Sequence, residues 1–206
     1  MKKKIEIKPI EKCAHWYERT AKFIKERDRI KENSIIFLGD SITEEYDLNK
    51  FFPNYPTVNR GISADHIDGV IDRLDTSLGD AENAKLFILI GINDIGAGRS
   101  EDAVKYLYKE LTDAVLKRKT YVVYLQSILP TASAYKNCPP EMIININTYI
   151  KKLATENNLS FVNLYPLFLK PNTKYLLDKY TNDGMHLNEE GYKIWTEHLN
   201  KTVFKK

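Results

Sequence analysis

The sequence predicts a three-layer α/β domain built on a doubly wound sheet of about five parallel strands. Two observations support this fold class. Five short runs rich in β-branched or aromatic residues recur along the chain, and segments of helical length separate them. Most of these runs are continuously apolar and do not alternate with polar residues, which is typical of strands covered by helices on both faces.

The predicted strands are short and end in glycine or polar residues. Their sequences and first residues are SIIFLG from Ser34, TVNRG from Thr57, KLFILIG from Lys85, TYVVYLQ from Thr120 and SFVNLY from Ser160. Parallel strands cannot be joined by tight hairpins, because each connection must cross the length of the sheet. The segments between the strands are therefore expected to contain the helices.

The clearest helical segment between two strands follows the prolines at positions 139 and 140. Its apolar stripe consists of Met142, Ile146, Tyr149, Ile150 and Leu153. A leading helix is predicted over about residues 11–29. A closing helix is predicted from Asn188, a suitable N-cap, to about Val203.

Length and composition fit a single domain over residues 1–206, since 43% of the residues are apolar and no repeat or linker interrupts the pattern. The net charge of +3 comes from 31 basic and 28 acidic residues spread along the chain, which argues against nucleic acid as a partner. No apolar run of signal-peptide length follows the lysine-rich start, so we expect a cytoplasmic protein without a membrane span, although a signal removed before residue 1 stays open. Cys13 and Cys138 are expected to be free thiols.

The residues that could take part in binding or catalysis lie at the ends of the predicted strands. Ligands of open α/β sheets bind where the carboxyl ends of the strands give way to loops. The first strand ends in Gly-Asp-Ser (39–41), the second in Asn-Arg-Gly (59–61), and the third in Gly-Ile-Asn-Asp (91–94). The stretch NDGMHLNEEG before the closing helix adds Asp183 and His186.

These residues contain the groups that serine catalysis needs. A serine hydroxyl requires a base and requires donors for the charge that develops on the attacked carbonyl. We predict Ser41 as the nucleophile, His186 as its base, and Asp183, three residues earlier, as the acid that orients the imidazole. The predicted oxyanion donors are the backbone N–H groups of Ser41 and Gly61 and the side-chain amide of Asn93.

In order and spacing, the four blocks resemble those of the SGNH (GDSL) hydrolases, which are esterases and lipases with a flavodoxin-like sheet. The resemblance runs from about Ser34 to about Trp195. It implies the same five roles for the residues named above and no cofactor. It is nearest to lysophospholipase-like and platelet-activating-factor acetylhydrolase-like members.

The chain departs from the family pattern at two places. Ile42 and Thr43 stand where the family name implies leucine, and Leu187 and Asn188 follow the histidine where many members have proline. Neither departure removes a reacting group, so only the subfamily is left in doubt. The G-x-S-x-G elbow of the α/β-hydrolases is absent around Ser41.

Several of these residues also have interpretations that involve no catalysis. The Gly-Asp-Ser turn alone is ordinary helix-cap chemistry. His66 competes with His186 as a base or as a substrate contact, whereas His15 and His198 are expected to pack on helices. No second histidine or cysteine stands at ligand spacing, so no metal is predicted. Asp40 and Asp94 are expected to hydrogen-bond the loops.

Other residues near the blocks have less definite roles. Tyr46, Tyr55 and Tyr135 are candidates for the lining of an acyl or sugar pocket. Glu44 and Glu45 are expected to favour the start of the first helix through its dipole. The loops over residues 127–141 and 167–181 are expected to shape the pocket, although nothing in them indicates a substrate.

The leading functional hypothesis is a serine esterase that hydrolyses a short-chain acyl ester through an acyl-enzyme intermediate. The short chain has no lid-like apolar insertion, which favours an acetyl group on a small molecule such as a carbohydrate. A lysophospholipase, a thioesterase and an acyltransferase with the same nucleophile remain alternatives, as does a non-catalytic binding domain. The oligomeric state is open, because the leading helix suits a homodimer as well as the sheet.

Overall fold

The protein is built around one parallel sheet in a computed structural model that describes residue 7 and residues 9–79, 81–118 and 120–204. The strands are β1 (Ile35–Gly39), β2 (Thr57–Gly61), β3 (Ala84–Leu89), β4 (Tyr121–Gln126) and β5 (Ser160–Val162). They are parallel in the order β2-β1-β3-β4-β5. The predicted sheet and its five strands are confirmed, and the order is that of flavodoxin-like folds.

Helices form a layer on each side of this sheet. The α-helices are α1 (Ala14–Lys25), α2 (Ser41–Glu44), α3 (Leu48–Phe51), α4 (Ile67–Asp72), α5 (Leu74–Ser77), α6 (Ile92–Gly96), α7 (Glu101–Leu116), α8 (Pro140–Glu156) and α9 (Glu189–Thr202). In one layer α7 contacts both α4 and α8, and in the other α3 contacts α9. Right-handed crossovers that run in opposite directions along a sheet put their helices on opposite faces.

A row of aromatic rings crosses the centre of the sheet. Phe37, Phe87 and Tyr124 occupy paired positions of β1, β3 and β4. The ring centroids of Phe37 and Phe87 are 5.1 Å apart, and those of Phe87 and Tyr124 are 4.5 Å apart, with nearly parallel planes. Side chains of paired residues in parallel strands lie on the same face, so this stacking follows from the register. The rings thus pack β1, β3 and β4 together on one face of the sheet.

The helix predicted after the two prolines is α8, and it begins with Pro140 in its first turn. Its predicted stripe is largely confirmed, since Ile146, Ile150 and Leu153 are buried. The structure adds Asn147 to the same buried face. The Asn147 amide accepts a hydrogen bond from the backbone N–H of Ile128 at 2.7 Å and donates one to its carbonyl at 2.9 Å. This polar pair fixes the loop that follows β4.

The leading and closing helices were both predicted. The leading segment is shorter than expected, because α1 ends at Lys25 and a 3₁₀ turn covers Arg27–Arg29. The Asn188 side chain accepts a hydrogen bond from the Gly191 N–H, as expected for the N-cap of α9. No helix in the described part of the chain is long and apolar enough to cross a membrane.

Two further expectations concern the cysteines and the start of the chain. Cys13 is exposed, Cys138 is buried, and both are free thiols. The lysines at positions 2–4 lie outside the described residues.

Candidate active site

Ser41 is held at the carboxyl edge of the sheet by the turn that joins β1 to α2. Asp40 is the N-cap of α2, and its Oδ1 accepts a hydrogen bond from the Ile42 N–H at 3.1 Å. An N-cap carboxylate satisfies a backbone donor that the first turn of a helix would otherwise leave unpaired. Ser41 is therefore the first residue of a helix, and only 7% of its surface is exposed.

A serine, a histidine and an aspartate are hydrogen-bonded in series. Ser41 Oγ lies 2.9 Å from His186 Nε2, and His186 Nδ1 lies 2.6 Å from Asp183 Oδ2. When Nδ1–H donates to the carboxylate, the Nε2 lone pair faces the serine hydroxyl and can accept its proton. The structure thus brings together three residues that are up to 145 positions apart in the chain.

Asp183 is fixed mainly by bonds within its own loop. Its Oδ1 accepts hydrogen bonds from the backbone N–H groups of Met185 and His186, each at 2.8 Å. Burial acts to raise the pKa of Asp183, but the hydrogen bonds from the His186 ring and the two backbone donors lower it to about 2. Asp183 is therefore ionised at neutral pH, as an orienting carboxylate requires.

A second loop supports the histidine from one side. The backbone N–H of Ala132 donates to the carbonyl of Gly184 at 2.7 Å. Gly184 has a φ of 87°, a left-handed conformation that glycine adopts readily. The exposed Tyr135 hydroxyl donates a hydrogen bond to the carbonyl of Asp183 at 3.3 Å. Of the three tyrosines considered for a pocket, Tyr135 is thus the one beside these residues.

Asn93 lies in α6, directly after the end of β3. Gly91 precedes it with a φ of 117° and turns the chain sharply from the strand into the helix. The Asn93 side-chain amide donates one N–H to the backbone carbonyl of Asp65 at 2.9 Å. An amide nitrogen carries two hydrogens, so one donor remains for a ligand.

The structure contradicts the role predicted for Gly61. Its N–H donates to Asn59 Oδ1 at 2.9 Å, and its carbonyl accepts a hydrogen bond from Arg19 at 2.9 Å. A Cβ atom at Gly61 would lie 2.1 Å from the backbone nitrogen of Glu44, so glycine is needed for the close approach of β2 to α2. Gly61 is a buried packing residue and its N–H is already used.

Ala64, three residues further on, has the features that Gly61 lacks. It is exposed and adopts the left-handed conformation with a φ of 61°, which is uncommon for alanine. Its loop is held on both sides, because Ser63 donates to Glu44 at the end of α2 and Asp65 accepts from Asn93. No acceptor for the Ala64 N–H is found among the residues that the structure describes.

Asp40 and Asp94 hydrogen-bond the surrounding loops, as predicted. Asp94 Oδ2 accepts a hydrogen bond from the Ile67 N–H at 3.1 Å, and Asp94 forms an ion pair with Arg99. Burial raises the pKa of both carboxyl groups to about 7. Asp40 Oδ2 has no hydrogen-bond partner among the described residues.

The other histidines have different neighbours. His66 is half-buried directly before α4, and burial together with the charge of Arg99 lowers its pKa. His15 pairs with Glu44 at 3.0 Å, and His198 lies on α9. In the described part of the chain, His186 is the histidine hydrogen-bonded to Ser41.

Two of the tyrosines are packed away from these residues. Tyr46 is buried, and its hydroxyl bonds Thr196 at 2.5 Å, so it cannot line an open pocket. The prediction for Tyr46 as a pocket residue is therefore wrong. Tyr55 is half-buried, packs against Phe52 and Phe204, and lines a surface cavity that includes neither Ser41 nor His186.

The prediction for the first helix turn holds for Glu44 but is wrong for Glu45. Glu44 lies in the first turn of α2, a helix of only four residues, whereas Glu45 follows as its C-cap. Glu44 also accepts hydrogen bonds from the N–H and the hydroxyl of Ser63, at 2.6 and 2.8 Å, and pairs with Arg19 of α1.

The fold and the site define a class: an α/β protein with a Ser-His-Asp series at the carboxyl edge of a parallel sheet. The model of the GDSL-like lipase/acylhydrolase family matches residues 37–194. The chain therefore belongs to this family of ester-hydrolysing enzymes, and the family predicted from the four blocks is confirmed.

Similar proteins include solved structures and a curated relative. A solved structure of a Streptococcus pneumonia protein bears the name of a platelet activating factor and is 27% identical to this chain. Its TM-score is 0.82, and the match covers 91% of this chain and 92% of that one. A mutant acetylxylan esterase from Geobacillus stearothermophilus is 15% identical, with a TM-score of 0.68 over 86% and 97%. An N-acylneuraminate cytidylyltransferase from Escherichia coli O18:K1:H7 is 26% identical over 180 residues. That match covers 83% of this chain but only 40% of the relative.

Proposed function

We propose that the protein is a serine esterase that releases a short acyl group from a small-molecule ester through an acyl-enzyme intermediate. The observation that carries this proposal is the bonded series from Ser41 Oγ to His186 and on to Asp183, at 2.9 and 2.6 Å. Each group has the partner that its role requires. The proposed enzyme needs no resident cofactor or metal, and we propose a cytoplasmic location for it.

The reaction would proceed in two halves. In the first, Ser41 Oγ attacks the ester carbonyl while His186 Nε2 takes the hydroxyl proton, and the same proton then goes to the departing alcohol oxygen as the carbon–oxygen bond breaks. In the second, water attacks the acyl-serine and gives a proton to His186. The bond between the acyl carbon and Ser41 Oγ then breaks, the carboxylic acid leaves, and His186 returns the proton to Oγ. Asp183 stabilises the imidazolium in both halves.

The oxyanion would be met by donors from three separate loops. We propose the backbone N–H of Ser41, the free N–H of the Asn93 amide and, in place of Gly61, the backbone N–H of Ala64. Support for Ala64 comes from its left-handed backbone and from its position between Ser63 and Asp65, which are bonded to α2 and Asn93 respectively. Removing one such donor typically lowers turnover roughly 100-fold to 1,000-fold.

The substrate we favour is an acetyl ester on a carbohydrate. The fold is shared with an acetylxylan esterase, and the curated relative is named for a sugar, an N-acylneuraminate. The second candidate is a lysophospholipase or a related lipid esterase, because the Streptococcus protein with 27% identity bears the name of a lipid mediator. A thioesterase or an acyltransferase would use the same nucleophile, with a thioester as substrate or an alcohol in place of water.

The test is hydrolysis of p-nitrophenyl esters from acetyl to long acyl chains by the parent and by Ser41→Ala. Turnover that is highest for acetyl and absent in Ser41→Ala is expected. Ser34→Ala is the matched control, because Ser34 is also buried, directly before β1, and among the described residues its hydroxyl accepts a hydrogen bond from the Lys31 N–H at 2.9 Å and contacts no histidine. Equal activity in the parent and Ser41→Ala would contradict the serine mechanism.

Two further measurements separate the alternatives. Rates that rise with acyl length would favour the lipid esterase over the sugar esterase. Product analysis with an added acceptor alcohol distinguishes hydrolysis, which yields the acid, from transfer, which yields a new ester.

A further inference from the structure

A fully buried arginine lies beneath the proposed catalytic residues. Arg73, at the end of α4, is completely excluded from solvent. Its Nη2 donates to the carbonyl of Gly39 at 3.0 Å, two residues before Ser41, and its Nη1 donates to the carbonyl of Arg60 at 3.0 Å. One guanidinium thus joins the ends of β1 and β2, where a planar set of donors holds two carbonyls in a fixed relation.

The same arginine is paired with a buried carboxylate in the Ala64 loop. Arg73 Nε donates to Asp65 Oδ2 at 2.7 Å, and Asp65 is only 3% exposed. The other carboxylate oxygen accepts hydrogen bonds from the backbone N–H of His66 at 3.0 Å and from the indole N–H of Trp16 at 3.1 Å. The Asp65 backbone therefore cannot move without breaking several charge-assisted bonds.

Gly69 allows this arrangement. A Cβ atom at Gly69 would lie 2.0 Å from Asp65 Oδ1, so any other residue would push the carboxylate away from α4. The backbone carbonyl of the same Asp65 is the acceptor for the Asn93 side-chain amide. The carboxylate and the carbonyl of one residue thus connect the buried arginine to Asn93.

We propose that Asp65 is a positioning residue for Asn93, and that Arg73 and Trp16 hold Asp65 in place. With one N–H bound to a fixed carbonyl, the Asn93 amide keeps a single orientation and presents its other N–H to the oxyanion. Trp16 belongs to α1, which precedes residues 37–194 that match the family model. The leading helix is therefore part of the machinery that orients the site. The inference rests on the proposed esterase function.

Trp16→Phe is the most selective test. Phenylalanine retains most of the packing of the indole ring and removes only the N–H that bonds Asp65. The matched control is Trp195→Phe, because the Trp195 indole N–H donates to a buried side chain, Gln126 Oε1, at 2.9 Å, away from the Ala64 loop. With p-nitrophenyl acetate, we expect kcat of Trp16→Phe to fall about tenfold with KM unchanged, since misplacing a transition-state donor lowers turnover and not ground-state binding. Trp195→Phe should stay within about twofold.

A double-mutant cycle with Asn93→Ala asks whether the effect passes through Asn93. If it does, Trp16→Phe added to Asn93→Ala lowers kcat no further, because the group that was being positioned is gone. A loss of the same size in both backgrounds would overturn the proposal. So would equal kcat losses in Trp16→Phe and Trp195→Phe, or an unchanged kcat in Trp16→Phe. Asp65→Asn provides a second variant, which should lower kcat at least as far as Trp16→Phe.

A measurement that does not depend on catalysis tests this inference separately from the proposed function. In ¹⁵N-labelled protein, Trp16→Phe should shift the resonances of the Asn93 side-chain amide, whereas Trp195→Phe should leave them in place. Unmoved Asn93 signals in Trp16→Phe would contradict the positioning role. A parent that hydrolyses no ester while these signals shift would contradict the esterase function and leave the positioning of Asn93 intact.

Discussion

The two halves of the candidate site are held in different ways. On the side of the proposed nucleophile, Ser41 and Asn93 lie at strand ends that are connected by a fully buried ion pair, Arg73 with Asp65. On the side of the proposed base, Asp183 and His186 belong to a partly exposed loop stabilised mostly by bonds within itself. Groups that stabilise a developing charge must be preorganised, whereas the base must reach the serine, the leaving group and water in turn. The full burial of the ion pair beneath Ser41 and Asn93, and the partial exposure of Asp183 and His186, fit these two requirements.

The strongest way to separate the two halves is to remove the base. His186→Ala should lower kcat by about 10⁵-fold and leave the free energy of unfolding within about 0.5 kcal/mol, because the ring lies in a partly exposed loop outside the core. Ester hydrolysis and urea unfolding measure the two quantities. His198→Ala on α9 is the control and should retain full activity; a large stability loss in His186→Ala would contradict the comparison.

Breaking the buried pair of Arg73 and Asp65 should lower the free energy of unfolding far more than His186→Ala does. Arg73→Met leaves the Asp65 carboxylate buried without its cation, which typically costs about 3–5 kcal/mol of the free energy of unfolding. Arg29→Met is the control, because Arg29 is exposed and its pair with Glu26 is expected to contribute less than about 1 kcal/mol. Urea unfolding of both variants gives the values. Similar stability in the two variants would show that the nucleophile side does not depend on this pair.

The buried carboxyl of Asp40 makes stability depend on pH. Because its pKa of about 7 in the folded protein lies above that of an ordinary aspartate, the folded protein binds the proton more tightly. The free energy of unfolding therefore falls as pH rises from about 4 through about 7. Between pH 5 and pH 8 the parent should lose about 3 kcal/mol relative to Asp40→Asn.

Urea unfolding at the two pH values tests this dependence. Asp47→Asn is the matched control, since Asp47 is also the N-cap of a short helix, α3, but is exposed. It should follow the parent at both pH values. An Asp40→Asn variant that also follows the parent would contradict the account of this carboxyl group.

The smallest effect is expected at the contact between Tyr135 and the base loop. Its hydrogen bond to the Asp183 carbonyl is long, at 3.3 Å, and exposed. Tyr135→Phe should therefore lower kcat by less than about threefold. Tyr17→Phe, an exposed tyrosine of α1, is the control in the same assay. A tenfold loss in Tyr135→Phe alone would indicate that the base side depends on this support or that the hydroxyl binds substrate.

The features that could be predicted from sequence are local or repeat along the chain. Short runs rich in β-branched or aromatic residues identify the five strands, and Asn188 identifies the start of α9. The serine, histidine and aspartate are recognisable because their residue types and order are restricted by chemistry. The spacing of Asp183 and His186 even indicates that a single loop carries both.

The contacts that could not be predicted depend on how distant segments pack. In sequence, a glycine needed for close packing looks the same as a glycine whose N–H binds a ligand, so the close approach of Gly61 to α2 cannot be predicted. Nothing in the sequence around Ala64 indicates a positive φ. Trp16 and Arg73 read as ordinary helical residues until the fold brings them to Asp65. A buried ion pair has no local sequence pattern, so its place beneath the candidate site cannot be predicted from the sequence.

The most direct test of the central claim is to trap the acyl-enzyme. The parent is mixed with p-nitrophenyl acetate, quenched in acid within milliseconds, digested and analysed by mass spectrometry. The account predicts one acetyl group on the peptide that contains Ser41, and none on that peptide in Ser41→Ala. Turnover by the parent with no acetyl group on Ser41, or with the acetyl group on another residue, would contradict it.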